Sequence, residues 1–268
     1  MNFSPILRNF VTMLCLRSIV IVLAALGIAH AGKITKGVSP ATEIALGDSC
    51  WSAQQSWNAF LHYTEAQKNA GDDRQLAWRF ARTYTAFALT ARTPDEEQWN
   101  YARAKEFAER AVGYDPNNED AVISIAVYYG WRTFMEQDNE SKLRASRLMH
   151  QYVTRALALN PYDDFAWNIH GQWNREVAKL SWVEKLVVKV IYGGLPDASF
   201  DQAVSDLRRA IQLRPQRIMH YVELGKTLLA MGEDADARAT LQHALDLPHN
   251  DGVDEKVKDE ARKLLAGK

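Results

Sequence analysis

Leu224-Gly225-Lys226-Thr227 has the residue order of a phosphate-binding loop. The complete motif needs a glycine five residues before Gly225, where this chain has His220, and it needs a preceding strand. The surrounding residues repeat with a helical period, so Leu224 and Gly225 are expected to pack inside a helix with Lys226 pointing outward. "DPNNED" (Asp115–Asp120) begins like a calcium loop, but Asp120 stands where Gly is required and Ala126 where Glu is required. It reads as a turn between helices. The seven histidines show no H-E-x-x-H or similar ligand spacing, and His170 is expected to be a satisfied core residue. No G-x-S-x-G elbow and no dinucleotide-binding glycine pattern occurs. Arg208, Arg209, Arg214 and Arg217 gather in "RRAIQLRPQR" and are expected to form a solvated face partly balanced by acids on neighbouring helices. These residues assign no catalytic site, no metal and no cofactor, and the chain is not expected to be an enzyme.

The elements behind them are helical. The chain has 268 residues, 47% hydrophobic and 24% charged, with a net charge of -1. That suits a globular core or a short solenoid and lacks the basic excess of a nucleic-acid binder. One spacing recurs four times: small, apolar, small, then a turn-forming Pro, the second-helix pattern of a tetratricopeptide (TPR) unit. It is filled by Ala104, Ala108, Ala111 and Pro116; by Met149, Val153, Ala156 and Pro161; by Ala203, Leu207, Ala210 and Pro215; and by Ala237, Leu241 and Ala244, with Pro248 one residue early. First-helix patterns are rarer. Trp167, His170, Gly171 and Asn174 fit in the third unit, and Tyr221, Leu224, Gly225 and Leu228 in the fourth. Asp72–Arg92 supplies the first helix of unit one. Asp48 or Ser49 is expected to cap an earlier helix carrying Trp51, Trp57, Phe60 and Leu61. "DEKVKDEARKLL" closes the chain as an amphipathic helix. The expected fold is all-α, a degenerate TPR-like α-α superhelix with one extended helix insertion.

The N-terminus reads as a targeting segment. Arg8 and Arg17 precede the apolar run Ser18–Ala29, and Ala29-His30-Ala31 forms an A-x-A cleavage site. The run is shorter than the ~20 residues a membrane span needs. The alternative joins Phe10–Leu16 to it as an uncleaved anchor, which would hold Arg17 in the membrane at a cost of roughly 2.5–3.5 kcal/mol. The expected organisation is a signal peptide over 1–31, a linker over 32–47 and a TPR-like domain over 48–268, in the periplasm. After cleavage Cys50 would be the sole cysteine, leaving no internal disulfide and no cysteine-based metal site.

Residues 70–268 resemble the regulator of microtubule dynamics proteins and their bacterial relatives. The resemblance rests on "LAWRFARTY" (Leu76–Tyr84), "AERAVGYDP" (Ala108–Pro116), "HGQW" (His170–Trp173), Trp182, the Pro196 turn, "LGKT" (Leu224–Thr227) and "DEARKLL" (Asp259–Leu265). Ser124 departs from it, standing where the family has an aromatic in the first helix of unit two. The resemblance implies an all-helical TPR-like domain, a binding role and no established enzymatic chemistry. Eukaryotic members are linked to microtubules, and one to membrane contact sites with lipid binding. The microtubule role does not carry over to a chain that reads as exported.

From Gly171 to Ala203 the third unit is about twenty residues longer than the standard offset. The excess contains an amphipathic helix. On a wheel, Leu180, Trp182, Val183, Leu186, Val187, Val190 and Ile191 share one arc, and Glu184, Lys185 and Lys189 lie opposite with Ser181, Val188 and Tyr192. It is expected to extend the first helix or to form an extra one, and to bury its arc against neighbouring units, with Trp182 inside. Alternatively the arc faces an apolar ligand or a membrane. The expected function is a scaffold that holds a protein or peptide partner in the concave groove, through Arg79, Asn168, Gln172, Arg175 and Lys226. The second reading is a lipid or apolar-ligand carrier at a membrane surface, using Trp173, Trp182, Leu186 and Val190. No nucleic-acid partner is expected.

Overall fold

The computed structural model describes residues 38–69 and 72–267. The expected signal peptide and cleavage site lie outside them. Twelve helices are described: α1 (Pro40–Ser52), α2 (Ser56–Lys68), α3 (Asp73–Thr90), α4 (Pro94–Tyr114), α5 (Glu119–Met135), α6 (Asn139–Leu159), α7 (Asp164–Ala178), α8 (Trp182–Tyr192), α9 (Phe200–Leu213), α10 (Ile218–Met231), α11 (Asp234–Asp246) and α12 (Asp254–Leu265). They form five antiparallel pairs, α1/α2, α3/α4, α5/α6, α7/α9 and α10/α11, each packed on the next, with α12 closing the end. The first helices α3, α5, α7 and α10 neighbour one another in turn, and α1 joins them through Asp48 and Arg79, so that they form an inner row.

Local chemistry sets the boundaries. Thr93, Asn118, Asp138, Asp163 and Ser199 each turn a side-chain oxygen onto a free backbone N–H at the start of the helix that follows. Pro94 stands in the first turn of α4, where its missing N–H costs nothing. Asp115–Asn118 is the inter-helix turn expected of "DPNNED", and "LGKT" lies within α10.

The second-helix residues do what their spacing requires. Ala104, Ala108, Val153, Ala156, Ala203, Leu207, Ala210, Ala237 and Ala244 are fully buried, and Ala111 and Leu241 nearly so. Facing them, Gly171 and Gly225 leave the room that lets two helices touch: a Cβ on Gly171 would stand 2.8 Å from Leu207 Cγ, and one on Gly225 would stand 2.6 Å from Leu241 Cγ. The TPR register of these units is thereby fixed.

The same relation occurs once more, ahead of the units expected from the sequence. Ala59, Tyr63 and Ala66 are fully buried at the second-helix spacing. Gly47 faces them twelve residues before Ala59, the standard offset, and a Cβ there would stand 2.3 Å from Tyr63 Cε1. Residues 40–68 are thus a complete TPR-like pair. The expected linker over 32–47 is corrected from Pro40 onward, where Ser39 caps α1. The single helix expected from Asp48 or Ser49 is two helices, broken at Ala53–Gln55 where Gln54 takes φ 62°. The sequence does not mark the pair, because Gly71 stands where the pattern's closing Pro would be and because Ser39-Pro40, the cap of a helix, also reads as a loop.

Candidate functional site

The inner row, α1, α3, α5, α7 and α10, carries a chain of paired polar groups. At its N-terminal end Asp48 accepts from Arg79 Nε and Nη2 at 2.9 and 2.6 Å, from Arg82 Nη2 at 2.9 Å and from Tyr63 Oη at 2.8 Å. Burial would raise the Asp48 carboxyl, but hydrogen bonds from Arg79 and Tyr63 and the two guanidinium charges hold it below its usual range. Burial pushes the Tyr63 phenol up to about 12. Arg79 also stacks on Trp78, and Arg82 lies between Trp51 and Trp78. Arg82 reaches on to Asp120 of α5 at 3.4 Å.

At the C-terminal end a second network joins α7 to α10. Fully buried His220 meets Asn168 Nδ2 through Nδ1 at 3.0 Å and Asp164 Oδ2 through Nε2 at 2.9 Å. Because Asn168 donates, the proton sits on Nε2, and the ring donates to Asp164. Burial pushes the His220 imidazole below its ordinary value. Burial acts upward on Asp164, but hydrogen bonds from His220 and Arg217 outweigh it and hold its pKa at about 2. One turn further, Arg175 Nη1 donates to Glu223 Oε2 at 2.6 Å, and Lys226 bridges Glu223 and Glu260 at 2.9 Å each. Burial would raise Glu223, yet Lys226 and Arg175 keep it below the carboxylate range.

Of the five residues expected to contact a partner, three are spoken for within the fold. Arg79, Asn168 and Arg175 are buried and bonded to Asp48, His220 and Glu223. Their place as free groove contacts is corrected: they sit where adjacent inner helices meet and pair across that seam. Gln172 and Lys226 keep partial exposure. Gln172 donates to Asn168 Oδ1 at 2.7 Å. Lys226 does not point freely outward but lies between its two glutamates. The sequence alone did not flag Asp48, Arg82, Asp120 or Glu223. The Asp48–Arg79, Asp48–Arg82, Arg82–Asp120 and Arg175–Glu223 pairs each join residues 31 or more positions apart, and no local spacing announces them.

His170 is satisfied as expected: its Nδ1 lies 2.8 Å from Asp206 Oδ2, and Asp206 is buried. In the arginine group, Arg217 pairs with Asp164 at 2.8 Å and stacks on Phe165, so acids do balance part of that charge.

Of the residues expected at an apolar surface, Trp173 is a core residue. It is 2% exposed, and its indole N–H donates to Ser146 O and Oγ at 3.1 and 3.0 Å. Trp182, Leu186 and Val190 lie on α8, and here the expectation of burial is overturned. No residue of α8 is buried. Trp182 is 76% exposed, Val190 74% and Ile191 64%. The chain leaves helical geometry at Leu180–Ser181, and Ser181 opens a new helix with a capping box to Glu184. Of the two expected forms, the excess takes the second: it is a separate helix, not an extension of α7. Its far end is tied down by Arg147 of α6, whose guanidinium donates to the carbonyls of Tyr192 and Gly194. That mount turns Val188 and Tyr192 toward the body and the apolar arc away from it.

A family model for regulator of microtubule dynamics proteins 1 to 3 matches residues 44–267. The human regulator of microtubule dynamics protein 2 is 27% identical over 197 residues, 72% of this chain and 47% of the human protein. The Bos taurus protein 1 is 27% identical over 209 residues, 77% of this chain and 66% of its own. The chain thus spans about half of the one relative and under two thirds of the other. Among solved structures, a thermophilic TPR protein from Thermus thermophilus superimposes with a TM-score of 0.57 at 16% identity, over 85% of this chain and 100% of that one. That likeness concerns the fold.

Proposed function

The chain belongs to the regulator of microtubule dynamics family, and from that premise we propose that it is a non-enzymatic scaffold holding a protein or peptide partner on its inner helix row. The observation that carries this reading is the character of that row. From Asp48 and Arg82 through Asp120 to Gln172, Glu223 and Lys226 it is charged and hydrogen-bonded, with Glu260 of α12 pairing to Lys226 from outside the row, and several of these groups still reach solvent. A polypeptide can exchange hydrogen bonds with such a surface; an apolar ligand would have to strip it of water without compensation. His220, the residue most like a catalytic base, is fully buried with both ring nitrogens engaged. It cannot reach an outside substrate.

A photo-crosslinker at Gln172 tests this in the protein's own cells, with one at Ala102, exposed on the second helix α4, as control. Capture of one polypeptide in fixed ratio from Gln172 and not from Ala102 is expected. No capture at Gln172, or the same products from both positions, contradicts it.

The scaffold is read as periplasmic, exported by a segment cleaved after Ala31. A mature chain beginning at Gly32 agrees with this, whereas one beginning near Met1 means an anchored protein. The relatives' name refers to microtubule dynamics, and an exported chain would not meet microtubules. What the family shares with it, on this reading, is the partner-holding surface.

A further inference from the structure

Helix α8 is mounted the wrong way round for a structural element. On a wheel at 100° per residue, Trp182, Leu186, Val190, Val183, Val187 and Ile191 cover about half the circumference, and all six are exposed. Val188 and Tyr192, the two shielded positions, fall opposite the middle of that arc. The helix therefore shows its apolar face to the surroundings and rests on its polar side. It is about 16 Å long, from eleven residues at 1.5 Å each. Its fastening is deliberate in chemical terms: a capping box at one end, and Arg147 with the left-handed Gly193 at the other.

Lys185 and Lys189 line one edge of the arc, and Lys179, which precedes the helix, is paired with Glu176 at 2.9 Å. The one acid, Glu184, lies at the opposite edge beside Ile191, where its carboxylate accepts from the backbone N–H and hydroxyl of Ser181 at 2.8 and 2.7 Å. The lysine edge is thus positive. An apolar face bordered by lysines, with a Trp at its end, is the pattern of a helix lying in the plane of a bilayer, its lysines reaching lipid phosphates. We propose that α8 docks this protein onto an anionic lipid surface, as a peripheral contact in the interface plane. A second copy of the chain fits less well. Pairing two α8 faces antiparallel about a two-fold axis would set Lys185 and Lys189 of each copy against the same lysines of the other. This goes beyond the scaffold reading and uses a different face of the molecule.

The test is co-sedimentation of the full chain with phosphatidylcholine vesicles, with and without phosphatidylglycerol. The wild-type chain is compared with Leu186→Glu/Val190→Glu, Lys185→Gln/Lys189→Gln and Trp182→Phe, all at unchanged helicity. The double-Glu variant should partition at least about tenfold less, and the double-Gln variant should lose the preference for phosphatidylglycerol. Bromine-labelled acyl chains should quench the wild type more than Trp182→Phe, since Trp182 enters the bilayer. Equal sedimentation of wild type and the double-Glu variant, or equal quenching of wild type and Trp182→Phe, overturns the proposal. So does a lipid-free dimer that the double-Glu variant converts to monomer. A Gln172→Arg variant should bind vesicles as wild type does, which separates this result from the fate of the scaffold reading.

Discussion

Tyr63 lies so close to Gly47 that a side chain of even one carbon at 47 would stand 2.3 Å from its ring. The relation repeats at Gly171 with Leu207 and at Gly225 with Leu241, so the α1/α2 pair is built as the later pairs are. Gly47→Leu should overpack this contact and cost roughly 1–3 kcal/mol. Urea unfolding followed by circular dichroism reads it. A variant that unfolds at the wild-type urea concentration would remove α1 from the stack.

Arg175 and Glu223 form a nearly solvent-free ion pair between α7 and α10. Arg175→Met alone leaves the Glu223 charge without one of its partners and should destabilise by about 3–5 kcal/mol, less whatever Lys226 recovers. Arg175→Met/Glu223→Leu should cost far less than the sum of the single changes. A double-mutant cycle with no coupling would mean the two groups do not meet.

Acid should weaken the protein in two stages. His220 has a folded pKa below its ordinary 6.5, so its contribution is fully present above that pH and declines as pH falls beneath it. Asp164, at about 2 against 3.8, contributes above pH 3.8 and loses that contribution as pH falls toward 2, a loss of roughly 2 kcal/mol. Denaturant midpoints should therefore fall between pH 7.5 and 5; at lower pH the loss at Asp164 is partly offset by Asp120, Asp163 and Glu119, whose carboxyls burial raises and which take up protons more readily in the folded state. His220→Gln should flatten the upper stage, leaving the part due to His150, which burial also lowers. A wild-type midpoint unchanged between pH 7.5 and 5 would contradict the buried neutral imidazole.

Trp182→Ala should leave stability within about 0.5 kcal/mol of wild type, as expected for an exposed side chain. A buried tryptophan at this position would cost about 3–5 kcal/mol. Equilibrium unfolding separates the two.

The repeat register was legible because it is local. Ala203, Leu207 and Ala210 face one way on a helix whatever else the chain does, and their burial follows from spacing alone. The amphipathic character of 182–191 was legible for the same reason. Its direction was not, because a wheel gives the phase of an arc relative to its own axis. What turns the arc outward is Arg147 gripping Gly194 from 47 residues away. The inner face failed in a related way. TPR register correctly put Arg79, Asn168 and Arg175 on first helices, but whether such a residue is free depends on the next helix in the row. Asp48, His220 and Glu223 close those positions.

The scaffold reading stands or falls on what the inner helix row holds. Native mass spectrometry of the full chain purified from its own cells should show a complex with a polypeptide in fixed ratio. Gln172→Arg, which keeps a donor for Asn168 Oδ1 and adds bulk on the inner row, should release that polypeptide while leaving the fold and the vesicle binding of α8 intact. A chain that carries only lipid, or that keeps its polypeptide in the variant, would contradict the account.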